Sequence, residues 1–311
     1  MALPKNAFFI PLMTVLILGS SADRASADIT WNFFYQDVIN STGVGFDDAI
    51  LGGTRQTTFE ATLDYVNSVL DEPSTVDLNI ASSQVDASGF LASAGPLLFT
   101  GPNGFANGFV FDHATTGIDP YGSVPDGEVT FDFGYNWNSD LDTPTGSEFD
   151  MFTVSLHEVT HAMGFTSFLN ENGTGLNGTN PDRFSAFDRF LERGDGTGLF
   201  DLGGLFLGDS SDLTSNDVFF RGPAATAANG GNPVQIYAPE SYAEGSSLAH
   251  VMATTTMNFA IAPGVTRRSY SAQEIGILQD TGYTTAIPEL SPAFPLFALF
   301  FLGGVLHRKL S

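Results

Sequence analysis

Two histidines with a glutamate between them, His157-Glu158-Val159-Thr160-His161, are the residues of this chain best arranged for chemistry. On a helix, positions four apart share one face, a turn away from each other. Both imidazoles can then reach one small cation. Zinc takes neutral His nitrogens at about 2.0–2.1 Å in a tetrahedral shell. Glu158 follows the first His, so it lies beside such a metal without having to bind it. There it can accept a proton from water held by the metal, whose pKa falls to about 7. The chemistry on offer is metal-assisted hydrolysis, with His157 and His161 as ligands and Glu158 as general base. A helix carrying these residues by chance is the bland alternative. Scarcity weakens it: five His occur in 311 residues, and two of them stand at ligand spacing.

A catalytic zinc has three protein ligands and one open position, so a third ligand must come from elsewhere. The chain has no cysteine, which excludes thiolate ligands, disulfides and Cys nucleophiles. Of the other three His, His307 falls in the C-terminal tail. His113, in Phe-Asp-His-Ala-Thr, reads as a polar, hydrogen-bonded side chain. His250, in Gly245-Ser-Ser-Leu-Ala-His-Val-Met-Ala-Thr-Thr-Thr-Met-Asn258, is the favoured third ligand. Asp188 and Glu192 stand as carboxylate alternatives on a helix expected over 181–192.

The elements that position these residues follow from pattern. The metal-facing helix lies within Phe149 to Phe165, with Ser147 as its expected cap and Gly164 at its end. Upstream, Asp28 to Tyr35 reads as a strand. Thr57 to Leu70 carries Phe59, Leu63, Val66 and Leu70 at helical spacing. Thr75 to Ile80 and Glu128 to Trp137 alternate as strands. Residues 86–126 are rich in Gly, Ala, Phe and Pro, with a short strand expected at Gly108 to Phe111. Residues 28–165 thus form an α/β-like upper lobe of an α+β domain. The lower lobe, 166–286, opens with a loop over 166–181. Val234 to Tyr237 is strand-like. Ser271 to Thr281 is a last helix with a capping-box pair, Ser271 and Glu274. The runs Gly194-Asp-Gly-Thr-Gly198 and Gly208-Asp-Ser-Ser-Asp212 admit a Ca²⁺ reading. They lack EF-hand spacing, and such runs also make ordinary turns.

Composition bounds the partners. The net charge of −24, from 35 acids and 11 bases, excludes a nucleic-acid binder, which needs clustered Lys and Arg. Residues 1–27 read as a secretory signal: Lys5, an apolar run from Ala7 to Leu18, then Ala25-Ser26-Ala27. That boundary leaves no room for a propeptide before the first strand. Residues 287–311 read as a sorting segment. Pro288-Glu289-Leu290 precedes the apolar run Ala293 to Leu306, and His307-Arg308-Lys309 follows. This resembles bacterial PEP-CTERM sorting tails, which an exosortase processes, although Leu290 stands where that motif has Pro. The expected location is the cell envelope or the extracellular space, reached through transient anchoring by the tail.

His157-Glu-x-x-His161-x-x-Gly164-Phe165 is similar to the opening of the metzincin zinc-peptidase motif. Ser167 occupies the place of the usual third His. A leishmanolysin-like long insertion accounts for this, since 89 positions separate His161 from His250. Met257 looks like the metzincin Met-turn residue, and Met252 fits that place less well. The resemblance covers about residues 28–284, with sharp motifs only at 157–165 and 245–258. It implies a mixed β-sheet with two long helices, an active-site helix at the cleft, and an irregular lower lobe with a Met-turn and a final helix. It also implies one catalytic Zn²⁺ held by His157, His161 and His250, with Met257 and Gly164 as structural support. The implied activity is an exported endopeptidase acting on protein or peptide substrates. The strand at Glu128 to Trp137 would be the cleft edge, and Tyr270 a candidate oxyanion helper. The Cys that silences related zymogens is missing. A gluzincin-type peptidase using Glu192 or Asp188, or a non-catalytic zinc-stabilised surface protein, are the rival readings.

Overall fold

A computed structural model describes residues 28–98, 103–119, 121–122, 124–175 and 183–286. The expected signal (1–27) and sorting tail (287–311) lie outside the described residues, as does part of the loop at 166–181. The elements in chain order are β1 (Thr30–Tyr35), α1 (Gln36–Asn40), α2 (Gly52–Val69), β2 (Thr75–Gln84), β3 (Ala92–Pro96), β4 (Gly104–Ala106), α3 (Phe109–Thr116), β5 (Gly127–Asp132), β6 (Trp137–Asn138), β7 (Phe149–Asp150), α4 (Met151–Ala162), β8 (Arg183–Ser185), β9 (Leu191–Arg193), β10 (Val218–Phe220), α5 (Pro223–Ala228), β11 (Val234–Ile236) and α6 (Ala272–Thr281). The fold is α+β. Among the described residues, no helix is long and apolar enough to cross a membrane.

The main sheet has the order β1-β2-β5-β3. β1, β2 and β5 run parallel, with Phe33 opposite Leu78 and Ile80 opposite Val129. β3 closes one edge antiparallel to β5, with Ala94 opposite Val129. Val76, Leu78, Ile80, Val129 and Phe131 are fully buried, the pattern of strands covered on both faces. The long helices α2 and α4 pack on each other, and α4 lies against β3 and β5. Phe46, Phe59, Phe131 and Phe133 make edge-on ring contacts at 5.1–6.2 Å.

The later half is built from short pieces. β9, β10 and β11 form an antiparallel sheet, β4 pairs with β8, and β6 with β7. α5 and α6 pack at Gly276, where an added Cβ would meet the Ala225 Cα at 2.6 Å. The Ser271–Glu274 capping box of α6 forms as expected.

Several expectations are corrected. Gly108 to Phe111 is not a strand but the entry to α3, whose Val110 and Ala114 are buried one turn apart. Residues 183–193 are not a helix: β8, a 3₁₀ turn at Asp188–Phe190 and β9 replace it. The Asp188 carboxylate accepts the Ser185 and Phe168 amides, a local bond that competes with helix. Ser147 does not cap α4. Asp150 does, accepting from the Thr153 amide at 3.1 Å. The strand expected over Glu128 to Trp137 stops at Asp132, whose Oδ1 accepts from the Gly134 amide in a turn. β5 is also interior to the sheet, so it cannot be the cleft edge. That edge is β3.

Candidate metal centre

α4 sets the first two residues. It buries Leu156, Val159 and Ala162 in the core, which turns His157, Glu158 and His161 toward a cavity of about 600 Å³. Its N-terminus is fixed by Asp150, a buried carboxylate that also forms an ion pair with the half-buried Arg268 at 2.5 Å. Its C-terminus is fixed by Gly164, at φ +96°, where a Cβ would sit 3.0 Å from the Asn107 carbonyl. That left-handed turn suits glycine. It reverses the chain so that the Phe165 carbonyl accepts from His161 Nδ1 at 2.8 Å.

The third histidine arrives on the loop after β11. Val251 bridges Ile236, and the amides of Tyr237 and Leu248 bond to the carbonyls of His250 and Tyr237. Leu248 is fully buried and holds φ +68°, an unusual state for a branched side chain. His250 Nδ1 donates to the Ser246 carbonyl at 2.7 Å, and His157 Nδ1 to the Thr256 carbonyl at 2.8 Å.

These contacts decide the tautomers. A carbonyl only accepts, so each Nδ1 carries the proton and each Nε2 presents a lone pair. The three Nε2 atoms lie 3.0–3.1 Å from one another. Unprotonated nitrogens do not hydrogen-bond each other, so their convergence needs a shared electrophile. Nitrogens about 2.05 Å from a tetrahedral centre would stand about 3.3 Å apart. The observed triangle is close to that, and His157, His161 and His250 could together hold a metal ion. Burial holds all three imidazoles below their ordinary value, His157 down to about 3. They are therefore neutral, as metal ligation requires.

Glu158 lines the same cavity and, among the described residues, accepts no hydrogen bond. Burial pushes its carboxyl up to about 8. A basic carboxylate beside a cation site is equipped to take a proton and return it.

Met257 is fully buried while Met252 is exposed. The residue that holds it was not read as part of the site from sequence. Glu274 Oε1 accepts from the Met257 amide at 2.5 Å, and its Oε2 from the Ser271 amide at 2.6 Å. The Thr256–Met257 peptide thus bridges His157 Nδ1 on one side and Glu274 on the other. The capping-box pattern located Glu274. Nothing in the pattern indicated its second task.

The other candidates lie elsewhere. Asp188 is buried with Ser167 Oγ at 2.5 Å and the Phe168 amide at 3.0 Å. Glu192 pairs with Arg221. Neither reaches the histidines. Tyr270 is buried behind α4, its hydroxyl 2.6 Å from Thr160 Oγ1, and it does not line the cavity. His113 Nδ1 lies 2.8 Å from Asp126 Oδ2, the hydrogen-bonded His expected, with Asp119 near enough to make a second His/Asp group. In the Gly/Asp runs, Asp195 caps the Thr197 amide, Asp209 the Ser211 amide, and Asp212 pairs with Arg193. No family model, no curated protein and no solved structure matches this chain.

Proposed function

We propose that the chain is an exported zinc-dependent endopeptidase with a metzincin-type α+β fold. One observation carries the reading: three Nε2 lone pairs converge within 3.1 Å in a cleft that also holds a buried glutamate with no hydrogen bond among the described residues. His157, His161 and His250 would hold the metal. Bound there, zinc would supply Lewis acidity toward a carbonyl oxygen and make water a better nucleophile.

The chain's own groups do the rest. The Thr256, Phe165 and Ser246 carbonyls fix the imidazoles in the ligating tautomer. Glu158 removes a proton from the attacking water and delivers it to the leaving amine. The outer edge of β3, unpaired in its sheet, faces the cavity through Ala92 to Pro96. An extended polypeptide can add there as a further strand, its backbone bonds independent of sequence. Export through 1–27 and tail processing by an exosortase-type enzyme complete the proposal.

The test is zinc content beside casein hydrolysis in the wild type, Glu158→Gln and His250→Ala. The wild type should carry one zinc per chain and show chelator-sensitive hydrolysis. Glu158→Gln should keep zinc and lose at least ~100-fold in turnover, the scale of a general base. His250→Ala should lose zinc. Undiminished turnover in Glu158→Gln would overturn the mechanism. Zinc without hydrolysis of any protein would favour a non-catalytic site.

A further inference from the structure

One cation stands in the wall of the cleft. Arg267 lines the cavity together with Thr153, Val154, His157, Ala260 and Ile261, and is the one Lys or Arg among the described lining residues. Its amide donates to Thr153 Oγ1 at 2.8 Å. Its Nη1 donates to the Thr255 and Ala260 carbonyls at 3.1 and 2.9 Å. The first bond ties its backbone to the first turn of α4, and the other two hold the guanidinium against the 255–260 loop around Met257.

They do not neutralise it. Arg193, Arg221 and Arg268 each pair with a carboxylate. Among the described residues, no carboxylate lies within ion-pair distance of Arg267. The acid that acts on it from nearby is Glu274, whose two oxygens are already engaged by the Met257 and Ser271 amides. Nε of Arg267 is buried and has no partner. A half-buried guanidinium without a counter-ion is costly, and a planar anion is the group that relieves it best.

Its place relative to the triad sets what it can touch. Thr153 and Val154 precede His157 by about one turn of α4, some 5–6 Å. A side chain flanking the scissile bond spans that distance. We infer that the cleft selects a substrate carboxylate next to the scissile bond, and that Arg267 is the residue that recognises it. This rests on the peptidase reading and adds a substrate class to it. The −24 charge of the chain disfavours anions over its surface generally, so an acidic preference must come from a local cation. The carboxylate has two sources: an Asp or Glu side chain, or a free C-terminus.

The experiment uses the zinc-loaded full chain and a set of peptides that differ at the positions flanking the cleaved bond. One arm compares Asp and Glu with Asn and Gln. The other compares free with amidated C-termini. Hydrolysis is followed in the wild type, Arg267→Met and Arg267→Lys, and binding of the same peptides in Glu158→Gln, which reads recognition without turnover. The expected acid-over-amide ratio in kcat/KM is about tenfold or more in the wild type. It should fall to near one in Arg267→Met and survive in part in Arg267→Lys. Because the ratio is taken within each variant, a change in folded fraction does not move it. The arm that shows the ratio identifies the source. Hydrolysis with no ratio in either arm overturns the inference and leaves the peptidase standing. Acid-selective binding that is lost in Arg267→Met, without hydrolysis in the wild type, keeps Arg267 as a carboxylate-binding residue and removes both the peptidase and the placement beside a scissile bond.

Discussion

At the scale of single residues, the site is made of groups held in states that water would not give them. Glu158 is the clearest. In the unfolded chain its carboxyl titrates near 4.5, whereas in the metal-free fold burial keeps its proton to about 8. Between these values the folded state binds the extra proton, so stability falls as pH rises through that window. The whole loss is on the order of 5 kcal/mol. Glu158→Gln cannot ionise and does not suffer it. The metal-free variant should therefore melt progressively higher than the metal-free wild type between pH 5 and pH 8. Thermal melts at both pH values decide it: a difference that does not change with pH would mean that Glu158 is solvated in the fold. A bound cation acts in the opposite sense, favouring the ionised carboxylate, so the zinc-loaded wild type should show a shallower slope. The residue suited to catalysis is thus one that costs the empty fold stability.

At the scale of elements, legibility in the sequence followed the range of the interaction. α4 and α6 were readable because their signals are local: His157 to Gly164 spans the last turns of α4 and its end, and Ser271 and Glu274 stand three positions apart. β3 was missed because Ala-Ser-Ala-Gly-Pro carries no β-branched or aromatic signal. Its status as edge comes from its partner β5. A helix was expected over 181–192, but the Asp188 carboxylate takes the Ser185 amide that such a helix would use. His250 was reachable by elimination among five histidines. The Thr256 carbonyl that orients His157 was not, since nothing in sequence points to a backbone oxygen 99 positions away. That long-range support is testable. Glu274→Gln retains size but loses one of the two acceptors that hold the Ser271 and Met257 amides. Zinc affinity, measured by competition with a chromophoric chelator, should fall about tenfold, the lower end for outer-sphere support of a ligating His. A lower melting temperature with unchanged affinity would reduce Glu274 to a cap of α6.

At the scale of the whole molecule, the triad joins two parts of the chain that are far apart in sequence and share one core. His157 and His161 belong to α4, under the main sheet. His250 belongs to a loop hung from β11, 89 positions later. A metal shared among them is a cross-link that exists only in the folded state. It should stabilise the fold by about 4 kcal/mol when free zinc is a thousandfold above its dissociation constant, which for a domain of this size is a melting shift on the order of 10 °C. The structure also shows why the fold should survive its loss. The loop carrying His250 is bonded to β11 on one side and to Asn258 on the other, and each imidazole has its own carbonyl partner. The sheet and α2–α4 core contain no ligand contact except through α4. Chelation should therefore lower the melting temperature and end hydrolysis while far-UV circular dichroism at 25 °C stays unchanged, and added zinc should restore both. Loss of secondary structure on chelation would instead make the metal a fold-forming element, and would turn the reading from a catalytic centre toward a zinc-stabilised surface protein.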